Sequence, residues 1–309
     1  MNRLLLLFVC AAPHSNAQET PVLRVFLLAG QSNMEGQAVV DLDHEQHYNG
    51  GRGTLVHLLQ DPAQRARYGH LRDKDGTWAA RDDVFMWYRN HHGELKKGPL
   101  SIGFAVYPGR HHFGPELEFG HAMGDRFKGP VLLVKTAWGG KSLFKDFRPP
   151  SAGGDVGPYY EKMIAGYKEI AGTISQHFPE LANHRPVLTG MVWFQGWNDM
   201  YDDAAITGYS DNFAHLVRDV RKALNTPKLP VVIGETGNGK EVLRVEQAKA
   251  GRRDDIQPVA FVPTYAFRRP KEQSPNVGHG HHWFGNAESY LLIGRAMGDA
   301  MAKLLSSKR

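Results

Sequence analysis

The sequence predicts a three-layer α/β/α fold, in which helices cover both faces of a central, mostly parallel sheet of five strands. The 309 residues are 41% hydrophobic and 22% charged, which is typical of a globular protein. Five short apolar runs show no clean alternation, as expected for strands buried on both faces. Helical patterns lie between these runs, and this alternation favours an α/β sheet.

The predicted strands are rich in Val, Leu, Ile or Phe and cover residues 24–29, 130–135, 186–194, 229–234 and 258–262. The predicted helices cover residues 115–127, 159–178, 205–224, 241–251 and 287–305. The first begins with Pro115 and two glutamates, a favourable helix start. The last carries its apolar residues on one broad face. The long polar stretch 40–115 is expected to be functional or to contain small elements of its own.

The N-terminus has the pattern of a signal peptide spanning residues 1–17. Arg3 precedes an apolar run over residues 4–12, and the small residues Ser15 and Ala17 suit a cleavage site. The apolar run is shorter than the roughly 20 residues needed to cross a membrane. A buried N-terminal helix or strand is the alternative. We expect a secreted or periplasmic protein with one domain, residues 18–309, and no membrane insertion after signal removal.

The cysteine count and the charge exclude several kinds of chemistry. Cys10 is the only cysteine and lies in the predicted signal peptide. The mature chain would therefore have no disulfide, cysteine nucleophile or thiolate metal site. The net charge of +5 is mild, and no Lys/Arg block predicts nucleic-acid binding.

Reactive groups in an open α/β sheet gather beyond the carboxyl ends of the strands. After the first predicted strand, Ser32 stands in the block Gly-Gln-Ser-Asn-Met-Glu-Gly. It is either a nucleophile exposed on a turn or a common helix N-cap. The lipase-type elbow is not matched, because Met34 occupies its last glycine position.

Two further strand ends carry groups that can bind an anion. Gly139 and Gly140 follow the second strand and form either a bare N–H site or a simple turn; Lys135 rules out a phosphate loop. Asn198 follows the third strand, where its amide can donate to an oxyanion. The fourth strand ends near Glu235.

A histidine cluster follows the fifth strand, at His279, His281 and His282. It can supply a general base, form a metal site or be a solvated loop. The chain lacks an H-E-x-x-H motif, so we expect neither a metal nor another cofactor.

These four blocks, in this order, resemble the SGNH hydrolase superfamily, and most of all its sialate O-acetylesterase and acetylxylan esterase branch. The resemblance covers residues 24–305 and implies a flavodoxin-like fold. It implies that Ser32 attacks an acetyl carbonyl and that His282 removes its proton. The backbone N–H groups of Ser32 and Gly140 and the amide of Asn198 would form the oxyanion hole.

The chain departs from the family pattern at two positions. His279 stands where the superfamily usually has an aspartate, and Trp197 stands where the branch often has a glutamate. The third catalytic group could be Asp199, Glu235, another carboxylate or a backbone carbonyl. We choose Asp199.

Aromatic residues flank the proposed catalytic groups. We predict that Trp138, Trp197 and Trp283, together with Gln195, bind the substrate; core packing is the alternative for the tryptophans. The expected function is a secreted serine esterase that hydrolyses O-acetyl esters on polysaccharide or sialic acid through an acetyl-enzyme. A non-catalytic carbohydrate-binding protein, or an esterase for another class of ester, remains the alternative.

Overall fold

A computed structural model describes residues 20–236 and 239–307. The predicted signal peptide, with Cys10, lies outside the described residues. Within the described ranges, no helix is both long and apolar enough to cross a membrane.

The strands are β1 Val22–Gly30, β2 Ala38–Val39, β3 Arg81–Arg89, β4 Leu95–Leu100, β5 His112–Phe113, β6 Val131–Ala137, β7 Arg185–Phe194, β8 Val231–Gly234 and β9 Val259–Val262. The α-helices are α1 Ser32–Glu35, α2 Glu45–Tyr48, α3 Leu55–Leu58, α4 Pro62–Tyr68, α5 Glu116–Arg126, α6 Pro158–His177, α7 Asp203–Thr207, α8 Tyr209–Ala223, α9 Glu241–Ala250 and α10 Ala287–Ser306.

The central sheet has seven strands among the described residues, in the order β4-β3-β6-β1-β7-β8-β9. Its neighbours are parallel except for the antiparallel pair β3–β4. All five predicted strands are confirmed as β1, β6, β7, β8 and β9. The sheet is larger than the five strands expected, because the long polar stretch contributes β3 and β4. Residues 84–88 of β3 form a further continuous apolar run that the prediction left in the polar stretch, whereas Lys96 and Lys97 give β4 a polar composition.

The apolar runs are continuous because the inner strands are covered on both faces. Leu27 of β1, for example, is fully buried and pairs with Val134 of β6 and Met191 of β7. One core contains residues of α6, α8 and α9, and the other contains residues of α5 and α10. The predicted helix 205–224 is divided at Gly208 into α7 and α8. The three-layer arrangement is therefore confirmed.

The order of the strands makes β1 the middle strand of the sheet, so its carboxyl end lies midway along that edge. After β1 the chain first builds the β6 side of the sheet and then crosses to β7 on the other side. Such a reversal opens a crevice at the strand ends, where ligands bind in α/β sheets. Ser32, Gly139 and Asn198 follow β1, β6 and β7 and so approach this crevice from three strands.

Candidate active site

Ser32 is held on a sharp turn, which we call the nucleophile turn, residues 30–36. Gly30 has φ +155°, and a Cβ there would lie 2.2 Å from the Phe194 carbonyl oxygen. Only glycine therefore lets β1 end so close to β7. Ser32 then begins α1 directly, so its backbone N–H belongs to the first turn, where helical N–H groups lack partners within the helix.

The side chains of Ser32 and His282 meet across 250 residues of sequence. His282 Nε2 lies 3.0 Å from Ser32 Oγ. His282 belongs to the 3₁₀ helix Gly280–Gly285, between β9 and α10. This distance lies within the range needed for direct proton transfer from the hydroxyl to the ring.

The other ring nitrogen of His282 has no partner. Its Nδ1 is buried, and no described residue lies within hydrogen-bonding distance of it. If Nε2 accepts the serine proton, Nδ1 must carry the hydrogen of the neutral ring. A carboxylate that orients the histidine is thus absent from the described part of the chain.

Burial keeps the imidazole neutral. Desolvation, together with the smaller effect of the neighbouring His281 and His279, lowers the pKa of His282 to about 3. The His281 ring centroid lies 3.9 Å from that of His282, and the His279 centroid lies 5.9 Å away. Among the described residues, no three His, Asp or Glu side chains are arranged to hold a metal ion.

Asp199 does not contact His282. Its carboxylate accepts hydrogen bonds from the backbone N–H groups of Leu143 and Phe144 and from Gln195 Nε2. Burial raises the pKa of Asp199 to about 6. Asp199 therefore anchors the loop that follows Gly140, and the structure does not support its expected role as the histidine's partner.

Glu235, the other carboxylate considered, is also engaged elsewhere. It accepts a hydrogen bond from the Tyr265 N–H at 2.8 Å and lies 3.3 Å from Arg244. No other described carboxylate therefore takes the place of the acidic residues that the family pattern has at positions 279 and 197.

The segments that carry the expected oxyanion groups lie beside the nucleophile turn. A Cβ at Gly139 would lie 3.7 Å from Ser32 Cβ, so the glycine pair runs directly beside the nucleophile. Gly140 has φ +73°, which favours glycine. Gln31 Nε2 donates to Asn198 Oδ1 at 3.3 Å, which leaves the Asn198 amide N–H groups free to donate to an oxyanion.

A family model described as "Carbohydrate esterase, sialic acid-specific acetylesterase" matches residues 22–303. The chain belongs to this family. By family it is a carboxylic ester hydrolase of the carbohydrate esterase class. The superfamily resemblance expected from the sequence blocks is thereby confirmed.

Known proteins with similar sequences or structures include carbohydrate esterases. A probable carbohydrate esterase of Arabidopsis thaliana is 24% identical over 236 residues, which are 75% of this chain and 76% of that protein. A solved structure from Arabidopsis thaliana has a TM-score of 0.59 at 17% identity, and the match covers 92% of this chain and 99% of the other. A carbohydrate acetylesterase from Xanthomonas citri has a TM-score of 0.52 at 15% identity, covering 92% and 57%. These two structures show the fold alone.

Asn33 connects the two halves of the esterase's site and was missed by sequence reasoning. Its Nδ2 donates to the His281 carbonyl at 3.0 Å, and its Oδ1 accepts from the Tyr290 hydroxyl at 2.6 Å. The side chain therefore fixes the backbone of the histidine cluster against the nucleophile turn. The available signal was its position beside Ser32 in the quoted block.

The four predicted substrate-binding residues divide into two groups. Trp138 and Trp197 are half-buried, and the Trp197 ring centroid lies 5.3 Å from that of His281. Trp283 is only 1% exposed and packs in the core. Gln195 is buried and donates to Asp199 and to the Lys141 carbonyl. Gln195 and Trp283 are thus engaged within the protein, whereas Trp197 lies beside the histidine cluster and Trp138 packs beside Tyr159.

Proposed function

We propose that this esterase removes O-acetyl groups from carbohydrates through a covalent acetyl-enzyme formed on Ser32. The observation that carries the proposal is the 3.0 Å contact between Ser32 Oγ and His282 Nε2 at the crevice of the sheet. A neutral imidazole at this distance is the arrangement that activates a serine nucleophile.

The proposed reaction has two stages. His282 removes the Ser32 proton while Oγ attacks the acetyl carbonyl, and the protonated ring then donates to the departing sugar oxygen. Water next attacks the acetyl-enzyme with His282 again as base. The N–H groups of Ser32 and Gly140 and the Asn198 amide stabilise the oxyanion, each contributing about 3 kcal/mol in the transition state.

In this scheme, hydrogen bonds to backbone carbonyls replace part of the role of the missing acid in orienting the histidine. Asn33 holds the His281 carbonyl, and the Tyr290 hydroxyl lies 3.5 Å from the His282 carbonyl. These contacts fix where the ring stands, but they add no negative charge to stabilise the imidazolium. We therefore expect a Ser–His dyad that is slower than a complete triad.

The acetylated substrate is proposed to be a polysaccharide or a sialic acid. Two half-buried tryptophans support a sugar ring, because the C–H face of a pyranose is apolar. The family description supports carbohydrate as the substrate class. We further propose export with removal of residues 1–17, supported by the N-terminal pattern; N-terminal sequencing of the exported protein should begin after Ala17.

A fluorophosphonate probe tests the mechanism directly. We expect it to label Ser32, and we expect wild-type protein to release acetate from p-nitrophenyl acetate and from at least one of acetylated xylan and O-acetylated sialic acid. Ser32→Ala should abolish both labelling and turnover while leaving the melting temperature unchanged. An unlabelled protein with bound carbohydrate would instead identify a non-catalytic binding protein, and full activity in Ser32→Ala would overturn the mechanism.

A further inference from the structure

A cavity of about 370 Å³ lies at the carboxyl ends of β3 and β6, against helix α6. Three aromatic side chains line it, Trp87 from β3, Trp138 after β6 and Tyr159 from α6. Gly166 of α6 forms part of the same wall. Aromatic side chains combined with polar groups are typical of the lining of a small-molecule pocket.

The cavity adjoins the nucleophile. Trp138 immediately precedes the glycine pair that runs beside Ser32. His91 is another residue of the cavity wall. Its Nδ1 lies 3.0 Å from Oε1 of Glu35, which belongs to the nucleophile turn. A substrate whose ester lies at Ser32 can therefore extend past Trp138 into this space.

Two buried polar atoms in the cavity wall lack partners. Trp87 Nε1 and Thr136 Oγ1 have no hydrogen-bonding partner in the described structure, although each residue is only 2% exposed. Buried polar groups are normally paired, so each exception asks for an explanation. An indole N–H and a hydroxyl in one wall are complementary to the hydroxyl groups of a sugar.

We propose that this cavity is a subsite for a second pyranose ring, next to the ring that carries the acetyl group. The inference rests on the proposed carbohydrate esterase function. The apolar face of this ring packs on Trp138, while its hydroxyls bond to Thr136 Oγ1 and Trp87 Nε1 once a small shift of the wall exposes these two enclosed atoms. At the rim, Arg89 pairs with Glu169 at 2.8 Å, and the amines of Lys141 and Lys162 lie over the Tyr159 ring.

Filling the cavity tests the proposal. A Cβ at Gly166 would lie 3.4 Å from Thr136 Cγ2 and 3.9 Å from Trp87, so Gly166→Leu places a side chain against the two unpartnered residues. Gly172→Leu on the same helix is the matched control, because no atom lies within 4 Å of a Cβ there. The measurement is the ratio of kcat/KM for an acetylated xylo-oligosaccharide to kcat/KM for an acetylated methyl xyloside.

We expect the wild type and Gly172→Leu to prefer the oligosaccharide, and Gly166→Leu to lower the ratio about tenfold or more. A wild-type ratio near one, an oligosaccharide that is not hydrolysed, or an equal ratio in both leucine variants would overturn the subsite. Turnover of p-nitrophenyl acetate and labelling of Ser32 report separately on the proposed function. Their loss would refute the catalytic proposal, whereas their retention with an unchanged ratio refutes only the subsite.

A second variant separates binding from folding. Thr136→Val keeps the shape of the side chain and removes a hydroxyl that has no hydrogen-bonding partner among the described residues. We expect a melting temperature at least as high as that of the wild type, and a substrate ratio lowered about fivefold through one lost hydrogen bond. A lower melting temperature with an unchanged ratio would assign the hydroxyl a structural role and overturn its place in the subsite.

Discussion

The nucleophile turn and the histidine segment, residues 279–285, face each other across the site, but the protein holds them in different ways. In the nucleophile turn, Gln31 bonds to both Asn198 and Gly196, and Asn33 bonds to the His281 carbonyl. Gln37 also donates to the Ser32 carbonyl at 3.1 Å. Each of these amides is paired, so the position of Ser32 is determined from several sides.

The histidine segment carries strain and unpaired atoms instead. Trp283 and Phe284 both have φ 55°, a left-handed conformation that is unfavourable for bulky residues. His282 Nδ1 and Trp283 Nε1 are buried without partners among the described residues. Such strain persists only where the surroundings impose it, and it concentrates at functional sites.

The difference shows which half of the reaction the structure favours. The oxyanion side is preorganised, whereas the base has a pKa lowered to about 3 and no carboxylate to stabilise its protonated form. A base is most effective when its pKa lies near the working pH. Variants on the two sides should therefore move activity in opposite directions.

The largest effect is expected on the preorganised side, from Asn198→Ala. Loss of an oxyanion donor should lower kcat for p-nitrophenyl acetate about 100- to 1000-fold, with little change in KM. Asn212→Ala, on α8, should behave as wild type. An unchanged kcat in Asn198→Ala would mean that the oxyanion is stabilised without this amide.

Gln31→Leu tests whether the Asn198 amide needs its support. Without the bond from Gln31, the amide can turn its oxygen towards the substrate, and kcat should fall about tenfold. The double variant Gln31→Leu/Asn198→Ala should be no slower than Asn198→Ala alone. Additive losses would show that Gln31 acts by another route; circular dichroism checks the fold, because the Gly196 N–H also loses its acceptor.

On the histidine side, His279→Asp should raise activity. Residues 279 and 282 are linked by a hydrogen bond from the His282 N–H to the His279 carbonyl at 2.9 Å, one turn of a 3₁₀ helix. Side chains three residues apart in such a turn lie above one another, so a carboxylate at 279 can approach Nδ1. We expect kcat/KM to rise about fivefold. His279→Asn, which has the same shape without the charge, should not reproduce the gain.

The smallest effect is expected from pH in the wild type. Because the pKa of His282 is lowered from 6.5 to about 3, the ring stays neutral across about pH 5 to 7. The kcat/KM profile for p-nitrophenyl acetate should show no inflection near pH 6.5. His279→Asp should bring an acid limb back towards that value, since a carboxylate raises a histidine pKa. A wild-type inflection at pH 6.5 would contradict the buried, neutral base.

A structural feature could be predicted from the sequence when its signal lies within a few neighbouring residues. The buried strands are continuous apolar runs, and Ser32 stands directly after the first of them, whereas His282 lies in the longer segment between β9 and α10. The missing acid was also visible, because His279 and Trp197 depart from the acidic residues that the family resemblance predicts at these positions. The hairpin β3–β4 was not predicted, although residues 84–88 of β3 form an apolar run; only the charged residues of β4 resemble a loop.

Contacts between distant segments could not be predicted. The bond from Asn33 to His281 joins residues 248 positions apart, and no local pattern announces it. The burial of Gln195 and Trp283 could not be predicted either, because only the packed structure shows that their side chains are enclosed. The residues of the reaction were therefore easier to anticipate than the residues that position them.

The composition of β4 affects how the protein behaves at high protein concentration. As the last strand of the sheet it presents unpaired backbone groups on one side, which are a template for adding a strand from another molecule. Its central residues Lys96, Lys97, Gly98 and Pro99 oppose such growth, because two charges, a flexible glycine and a missing N–H interrupt the template. The hairpin that enlarges the sheet also terminates it, and protects the protein from edge-to-edge aggregation.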